Sequence, residues 1–82
     1  MQQDIQEQLL EFICRNFMVE KDEIDIEKSL VDTGIIDSIG LIEISTFIQN
    51  KFGIMVKEEQ MNRENFGSVV KIVKFIEIEI KK

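Results

Sequence analysis

Three stretches of this chain place apolar side chains three or four positions apart, which is the repeat of an α-helix. They run from Ile5 to about Phe17, from Ser38 to about Phe52, and from Val69 to Ile80. No proline interrupts them anywhere in the 82 residues. Because each apolar stripe must be buried against another, the spacing predicts an all-α fold: a small bundle of three main helices and one short one, forming a single domain over residues 1–82.

The ends of these stretches carry capping signals. Asp37 precedes the second stretch, where a carboxylate can accept hydrogen bonds from the free amides of a helix start. Gly53 follows that stretch and suits the left-handed residue that ends many helices. We predict the short helical turn around residues 59–63. We also predict that Asn65 caps the last helix, with Ser68 three residues further on.

The segment between the first two helices, Met18 to Ile36, is long and mostly charged. It nevertheless contains apolar residues that need burial, so we expect it to pack across the bundle rather than to act as a linker. These residues are Ile24, Ile26, Leu30, Ile35 and Ile36.

The end of the last stretch gives conflicting signals. From Phe75 to Ile80 apolar and acidic residues alternate, a period of two that is typical of a strand. The helical spacing from Val69 to Ile76 is longer, and no partner strand is evident. We therefore predict that the helix continues through this segment.

The charge is uneven. Of the net charge of −6, residues 20–37 carry −5, with seven acids against two lysines, whereas the chain from Leu41 onward carries +1. An acidic surface of this kind repels nucleic acid and anionic lipid, and it favours a protein partner with a basic patch. A merely solvated acidic surface explains the same residues equally well.

Neither a signal peptide nor a run of about 18 apolar residues is visible. The single cysteine, Cys14, permits no internal disulfide. We therefore expect a cytoplasmic monomer without a membrane partner. A lone thiol beside Ile13 is most simply a small apolar side chain, and we predict no role for it in chemistry.

Ser38 lies in the run Asp-Thr-Gly-Ile-Ile-Asp-Ser-Ile-Gly, at the first turn of the predicted second helix. A serine nucleophile needs a base, usually histidine, and the chain contains no histidine. Its lysines lie in charged segments without the burial that lowers a lysine pKa. We predict that the protein is not an enzyme.

A calcium loop counted from Asp32 places Glu43 at the twelfth position, as an EF-hand requires. The sixth position, however, is Asp37 where the loop needs glycine, and the third and fifth are Gly34 and Ile36. We predict no metal site.

The start of a helix favours an anion, so a phosphodiester on Ser38 would be accommodated there. A serine that only completes a capping turn explains the residue equally well from physical grounds alone.

The run from Asp32 to Ile39 resembles the D-x-G-x-x-D-S-L/I signature of the acyl and peptidyl carrier proteins. The similarity extends over nearly the whole chain, including Phe52-Gly53-Ile54 and the run from Asn65 to Val69. It implies that a phosphopantetheinyl transferase attaches 4′-phosphopantetheine from coenzyme A to Ser38. It further implies that the arm carries an acyl or aminoacyl group as a thioester between loading and downstream biosynthetic enzymes, whose docking patches are basic.

The same resemblance implies roles for neighbours of Ser38. Asp37 and Glu43 match acidic positions that the family uses for docking partners. By position, Ile39, Ile42 and Thr46 would line a cleft for the acyl chain. Core packing explains the two isoleucines equally well.

The chain departs from the family at two places. Gly40 stands where a side chain is more usual, which costs a helix up to about 1 kcal/mol relative to alanine and suggests a looser surface. Gln49, Asn50 and Lys51 replace a stretch that is typically acidic in fatty-acid carriers. We therefore favour a dedicated carrier of a specialised pathway. The alternative function is an acidic helical interaction module without a prosthetic group.

Overall fold

The computed structural model describes residues 4–81, and the regular secondary structure in this part of the chain is helical, without strands. The four α-helices are α1 (Ile5–Phe17), α2 (Ser38–Phe52), α3 (Arg63–Phe66) and α4 (Val69–Ile80). Two 3-10 turns, Lys21–Glu23 and Glu58–Gln60, lie in the connections. The all-α prediction of three main helices and one short helix is confirmed. The single-domain prediction over residues 1–82 includes residues 1–3 and 82, which lie outside the described residues.

The core forms where the predicted apolar stripes meet. α4 contacts α1, α2 and α3, and is therefore the helix around which the others pack. The side chains with no exposed surface come from every long helix and from the connection: Leu9, Ile13, Leu30, Ile44, Ile48, Val69, Ile72 and Ile76. Within the described residues, no helix has the length and apolar content needed to cross a bilayer.

The C-terminal segment with the alternating pattern is helical to Ile80, as predicted. Phe75 and Ile76 are buried, whereas Ile78 and Ile80 are half exposed. The period of two is therefore produced by apolar residues on two different sides of one helix. Only the side that continues from Val69 and Ile72 faces the core.

Both predicted ends of α2 are confirmed. The Asp37 carboxylate accepts a hydrogen bond from the Gly40 amide at 2.8 Å. Gly53 has a φ of 68°, a left-handed conformation, and its amide donates to the Gln49 carbonyl at 3.0 Å. These two residues satisfy backbone groups that the ends of a helix leave free.

The region between α2 and α4 corrects two predictions. The helical turn predicted around residues 59–63 overlaps the 3-10 turn Glu58–Gln60, but the short α-helix follows at Arg63–Phe66. Asn62 caps this helix by accepting from the Asn65 amide at 3.0 Å. Asn65 consequently lies inside α3 and does not cap the last helix. That cap is Ser68, whose hydroxyl accepts from the Lys71 amide at 3.3 Å.

The long connection crosses the bundle, as its apolar residues predicted. Leu30 is completely buried, and its amide donates to the Gly67 carbonyl at 3.0 Å. The Val70 amide donates to the Ile26 carbonyl at the same distance. These two hydrogen bonds tie the connection to the junction of α3 and α4, and so fix the position from which the chain enters α2.

Candidate functional site

The turn before α2 determines where Ser38 lies. Gly34 has a φ of 81°, in the left-handed region that glycine adopts without strain. The amides of Ile35 and Ile36 then both donate to the Leu30 carbonyl, at 3.1 and 3.2 Å. Since Leu30 is fixed in the core, the first turn of α2 is held in place and Ser38, its first residue, is exposed to solvent.

This arrangement fits a covalently attached phosphodiester. The Ser38 side chain is exposed, so a second protein can reach its hydroxyl. It lies at the amino end of a helix of 15 residues, where the partial positive charge of the backbone favours an anion. Asp37 engages the Gly40 amide and so keeps the first turn closed. No base within the chain is needed for a modification that another enzyme catalyses.

Gly40 is buried and does not loosen the surface, contrary to the expectation from its helix propensity. A Cβ atom at this position would lie 2.9 Å from the Ile36 Cβ and 3.0 Å from the Phe17 Cε1. The absence of a side chain therefore lets the connection and the end of α1 approach the first turn of α2 closely.

Gly40→Ala should destabilise the protein by about 1–3 kcal/mol, because the added methyl group must displace Ile36 or the Phe17 ring. At an exposed helical position the same change would stabilise by up to about 1 kcal/mol. Urea unfolding followed by circular dichroism measures the difference. Gln49→Ala, on the exposed side of α2, is the control and should change stability by less than about 0.5 kcal/mol. An unchanged or raised stability of Gly40→Ala would contradict the packing described.

The predicted cleft residues lie on the outside of α2. Ile39 is 68% exposed and Ile42 is 56% exposed, so core packing does not account for them. Thr46 is also exposed, and its hydroxyl donates to the Ile42 carbonyl at 3.1 Å. Ile42 and Thr46 line an open groove of about 490 Å³ between α1 and α2, whereas Ile39 is not part of that lining.

Two aromatic rings that the sequence analysis did not assign to the site form the floor of this groove. Phe12 of α1 and Phe47 of α2 stack with ring centroids 4.3 Å apart and an angle of 15° between the planes. Glu43 lies at the groove as well, where its carboxylate accepts from the Asn16 side-chain amide at 3.0 Å. Phe47 was missed because it does not belong to the inward stripe of α2, which includes its neighbour Ile48.

The first and twelfth residues of the calcium loop considered above, Asp32 and Glu43, contact other side chains. Asp32 forms an exposed ion pair with Arg63 at 3.3 Å, and Glu43 contacts Asn16. In the part of the chain that the structure describes, no three histidine, cysteine, aspartate or glutamate side chains converge.

Cys14 packs against the edge of the core, and burial raises the pKa of its thiol. Because the thiolate is the reactive form, we expect Cys14 to react more slowly with a disulfide reagent at neutral pH in the folded protein than in urea. In a series of measurements at increasing pH, the reaction rate of the folded protein should begin to rise at a higher pH than that of the unfolded protein. Equal rates and equal pH profiles in both states would contradict the packing of Cys14 against the core.

Residues 7–76 match the family described as a phosphopantetheine attachment site. The chain is also 32% identical over 73 residues to the D-alanyl carrier proteins of Streptococcus pyogenes serotype M5 (strain Manfredo) and serotype M1. Each alignment covers 89% of this chain and 91% of the relative.

Proteins of this family bear covalent 4′-phosphopantetheine, interact with a phosphopantetheinyl transferase and with biosynthetic enzymes, and catalyse no reaction themselves. The match includes the turn at Gly34, all of α2 and α3, and most of α1 and α4. Because the family match covers residues 7–76 and the four-helix fold agrees with it, the chain belongs to the phosphopantetheine-bearing carrier proteins.

Proposed function

We propose that Ser38 receives the phosphopantetheine arm and that the chain carries an aminoacyl group, D-alanyl or one of similar size, from a loading enzyme to an acceptor enzyme. The observation that carries the proposal is the exposed hydroxyl of Ser38 at the first position of α2, directly after the cap at Asp37. When attached, the arm supplies a thiol that holds the cargo as a thioester. The chain's own residues present the arm and bind partners.

The other serines are less suited to modification. Ser45 and Ser68 are each 4% exposed. The Ser45 hydroxyl donates to the Ile42 carbonyl, and Ser68 is occupied as the cap of α4. Ser29 is half-buried, and its hydroxyl accepts from the Asp32 amide at 3.1 Å. Ser38 differs from all three in its exposure. It shares a place at a helix start only with Ser68, whose side chain is buried.

The proposed cargo is small. D-alanyl carrier proteins are similar to this chain over nearly their whole length, which supports an aminoacyl cargo. Below α2 the interior is filled by the fully buried Ile44 and Ile48, while Ile39 and Ile42 point outward. An amino acid needs no long apolar tunnel. For this cargo we propose that Ile39, Ile42 and Thr46 contact partner enzymes. That these residues line a cleft for a longer acyl group stays a prediction.

The cargo is tested with an extract of the organism's own cells. The phosphopantetheine form of the protein is incubated with the extract, ATP and radiolabelled D-alanine, L-alanine or palmitate. We expect label from D-alanine that hydroxylamine releases, as it does from thioesters, and none in Ser38→Ala. Label from palmitate without label from either amino acid would refute the aminoacyl cargo.

Docking is proposed to use Asp37 and Glu43 together with the acidic residues 20–37, opposite a basic patch on the partner. We propose that the carrier acts in the cytoplasm, where coenzyme A is available. We also propose that it acts as a monomer.

Glu43→Lys should lower kcat/KM for loading by the transferase several-fold at low salt, with a smaller effect at high salt because ions screen exposed charges. The control is Glu77→Lys, which makes the same change of charge on an exposed residue of α4. Initial rates of phosphopantetheine transfer measure both. Equal effects of the two substitutions would show that net charge alone acts, and would contradict docking at Glu43.

A further inference from the structure

A second pocket opens directly beside Ser38, separate from the groove between α1 and α2. It has a volume of about 470 Å³ and includes Ser38 and Asp37 in its wall. Its other lining residues are Phe17, Val31, Gly34, Ile35 and Ile36. Four of these five are apolar residues, so apolar side chains as well as polar groups lie next to the residue that we propose to carry the arm.

The pocket is preformed by contacts already described. Phe17 lies at the end of α1, and its ring reaches the first turn of α2 because Gly40 has no side chain. Ile35 and Ile36 are fixed by the hydrogen bonds of their amides to the Leu30 carbonyl. Apolar side chains that are held in place by the backbone and by α1 lose little conformational freedom when a ligand covers them.

The rim is open. Val31 is 37% exposed although it is a large apolar residue, and nothing lies within 4 Å of the position of a Cβ atom at Gly34. A flexible group attached to Ser38 can therefore lie across this rim without displacing a side chain.

We propose that this pocket binds the part of the phosphopantetheine arm nearest to Ser38, so that the arm rests against the connection when no partner is bound. Directly after the phosphodiester and its methylene, that part contains a carbon with two methyl groups, which gives it an apolar portion. Because the arm is tethered to a residue of the pocket wall, its effective concentration there is high and even a weak contact is occupied. A partner enzyme draws the arm out by competing with this contact. The inference rests on the attachment at Ser38 proposed above.

The test is NMR spectroscopy of the apo form and of the phosphopantetheine form, with methyl groups of valine and isoleucine labelled. Intact mass is measured first to establish that the arm is attached. We expect chemical-shift changes at Val31, Ile35 and Ile36, and nuclear Overhauser contacts between the Val31 methyls and the geminal methyls of the arm. The methyls of Ile78 and Ile80, which are exposed on α4, should not change.

Val31→Ser supplies the matched variant, because the residue is partly exposed and its replacement leaves the core intact. It should be loaded with the arm as the original protein is, and lose the contacts of the arm to Ile35. Loading at Ser38 without any contact between the arm and the pocket would overturn the inference and leave the proposed function standing. Attachment at another residue would overturn both.

Discussion

Replacing Ser38 with alanine should abolish attachment of phosphopantetheine completely. A broad-specificity transferase and coenzyme A should add the mass of one phosphopantetheine to the original protein and nothing to the variant. The reason is chemical: the phosphodiester needs a hydroxyl, and the hydroxyl at the start of α2 is exposed whereas those of Ser45 and Ser68 are buried. The fold should be preserved, since alanine is well tolerated in helices and the cap at Asp37 remains.

The control is Ser29→Ala, which removes another serine hydroxyl from the connection and should leave loading intact. Circular dichroism should give the Ser38 variant a stability within about 0.5 kcal/mol of the original. Full loading of Ser38→Ala would refute the assignment of the site. Binding of a biosynthetic partner that is undiminished in Ser38→Ala and needs no arm would instead favour the acidic interaction module.

The largest effect on stability should come from Ile44→Ala on the inner side of α2. Ile44 has no exposed surface, and the loss of a buried isoleucine to alanine costs about 2–5 kcal/mol of the free energy of unfolding. Ile42→Ala is the matched comparison: it makes the same change two positions earlier, where the side chain is 56% exposed, and should cost less than about 1 kcal/mol.

Urea unfolding of the two variants measures this difference directly. A small domain is stabilised by only about 5–15 kcal/mol, so Ile44→Ala should lose a large part of its stability and unfold at clearly lower urea. Similar losses for the two variants would mean that α2 is rotated relative to the packing described, with Ile42 also in contact with the core.

The three long helices were predictable because their signals are local and repeated. The bounds of α2 were predicted to the residue, since Asp37 and Gly53 each carry the chemistry of a helix end. The short helix was misplaced because Asn62, Asn65 and Ser68 are all capping residues at intervals of three. Which of them caps a helix depends on packing against α4, and local sequence does not contain that information.

The candidate site was predictable in part for the same reason. Ser38, its cap and the turn at Gly34 lie within one short motif. The close packing of Gly40 depends on Phe17, which belongs to another helix. The low helix propensity of glycine does not include this contact, and it therefore led to the wrong expectation of a looser surface. The spacing of apolar residues also could not decide on which side of α2 Ile42 lies. Leu41 and Ile42 are neighbouring apolar residues, and the pattern alone does not show which of the two faces the core.

The most direct test of the central claim is peptide mass analysis of the protein isolated from its own cells. Trypsin should release the peptide of residues 29–51, which contains Ser38 together with Ser29 and Ser45. We predict that this peptide carries one phosphopantetheine, that fragmentation places it on Ser38, and that part of the population bears an aminoacyl group on the arm. A peptide recovered only without the arm, from cells in which another carrier is loaded, would contradict the claim.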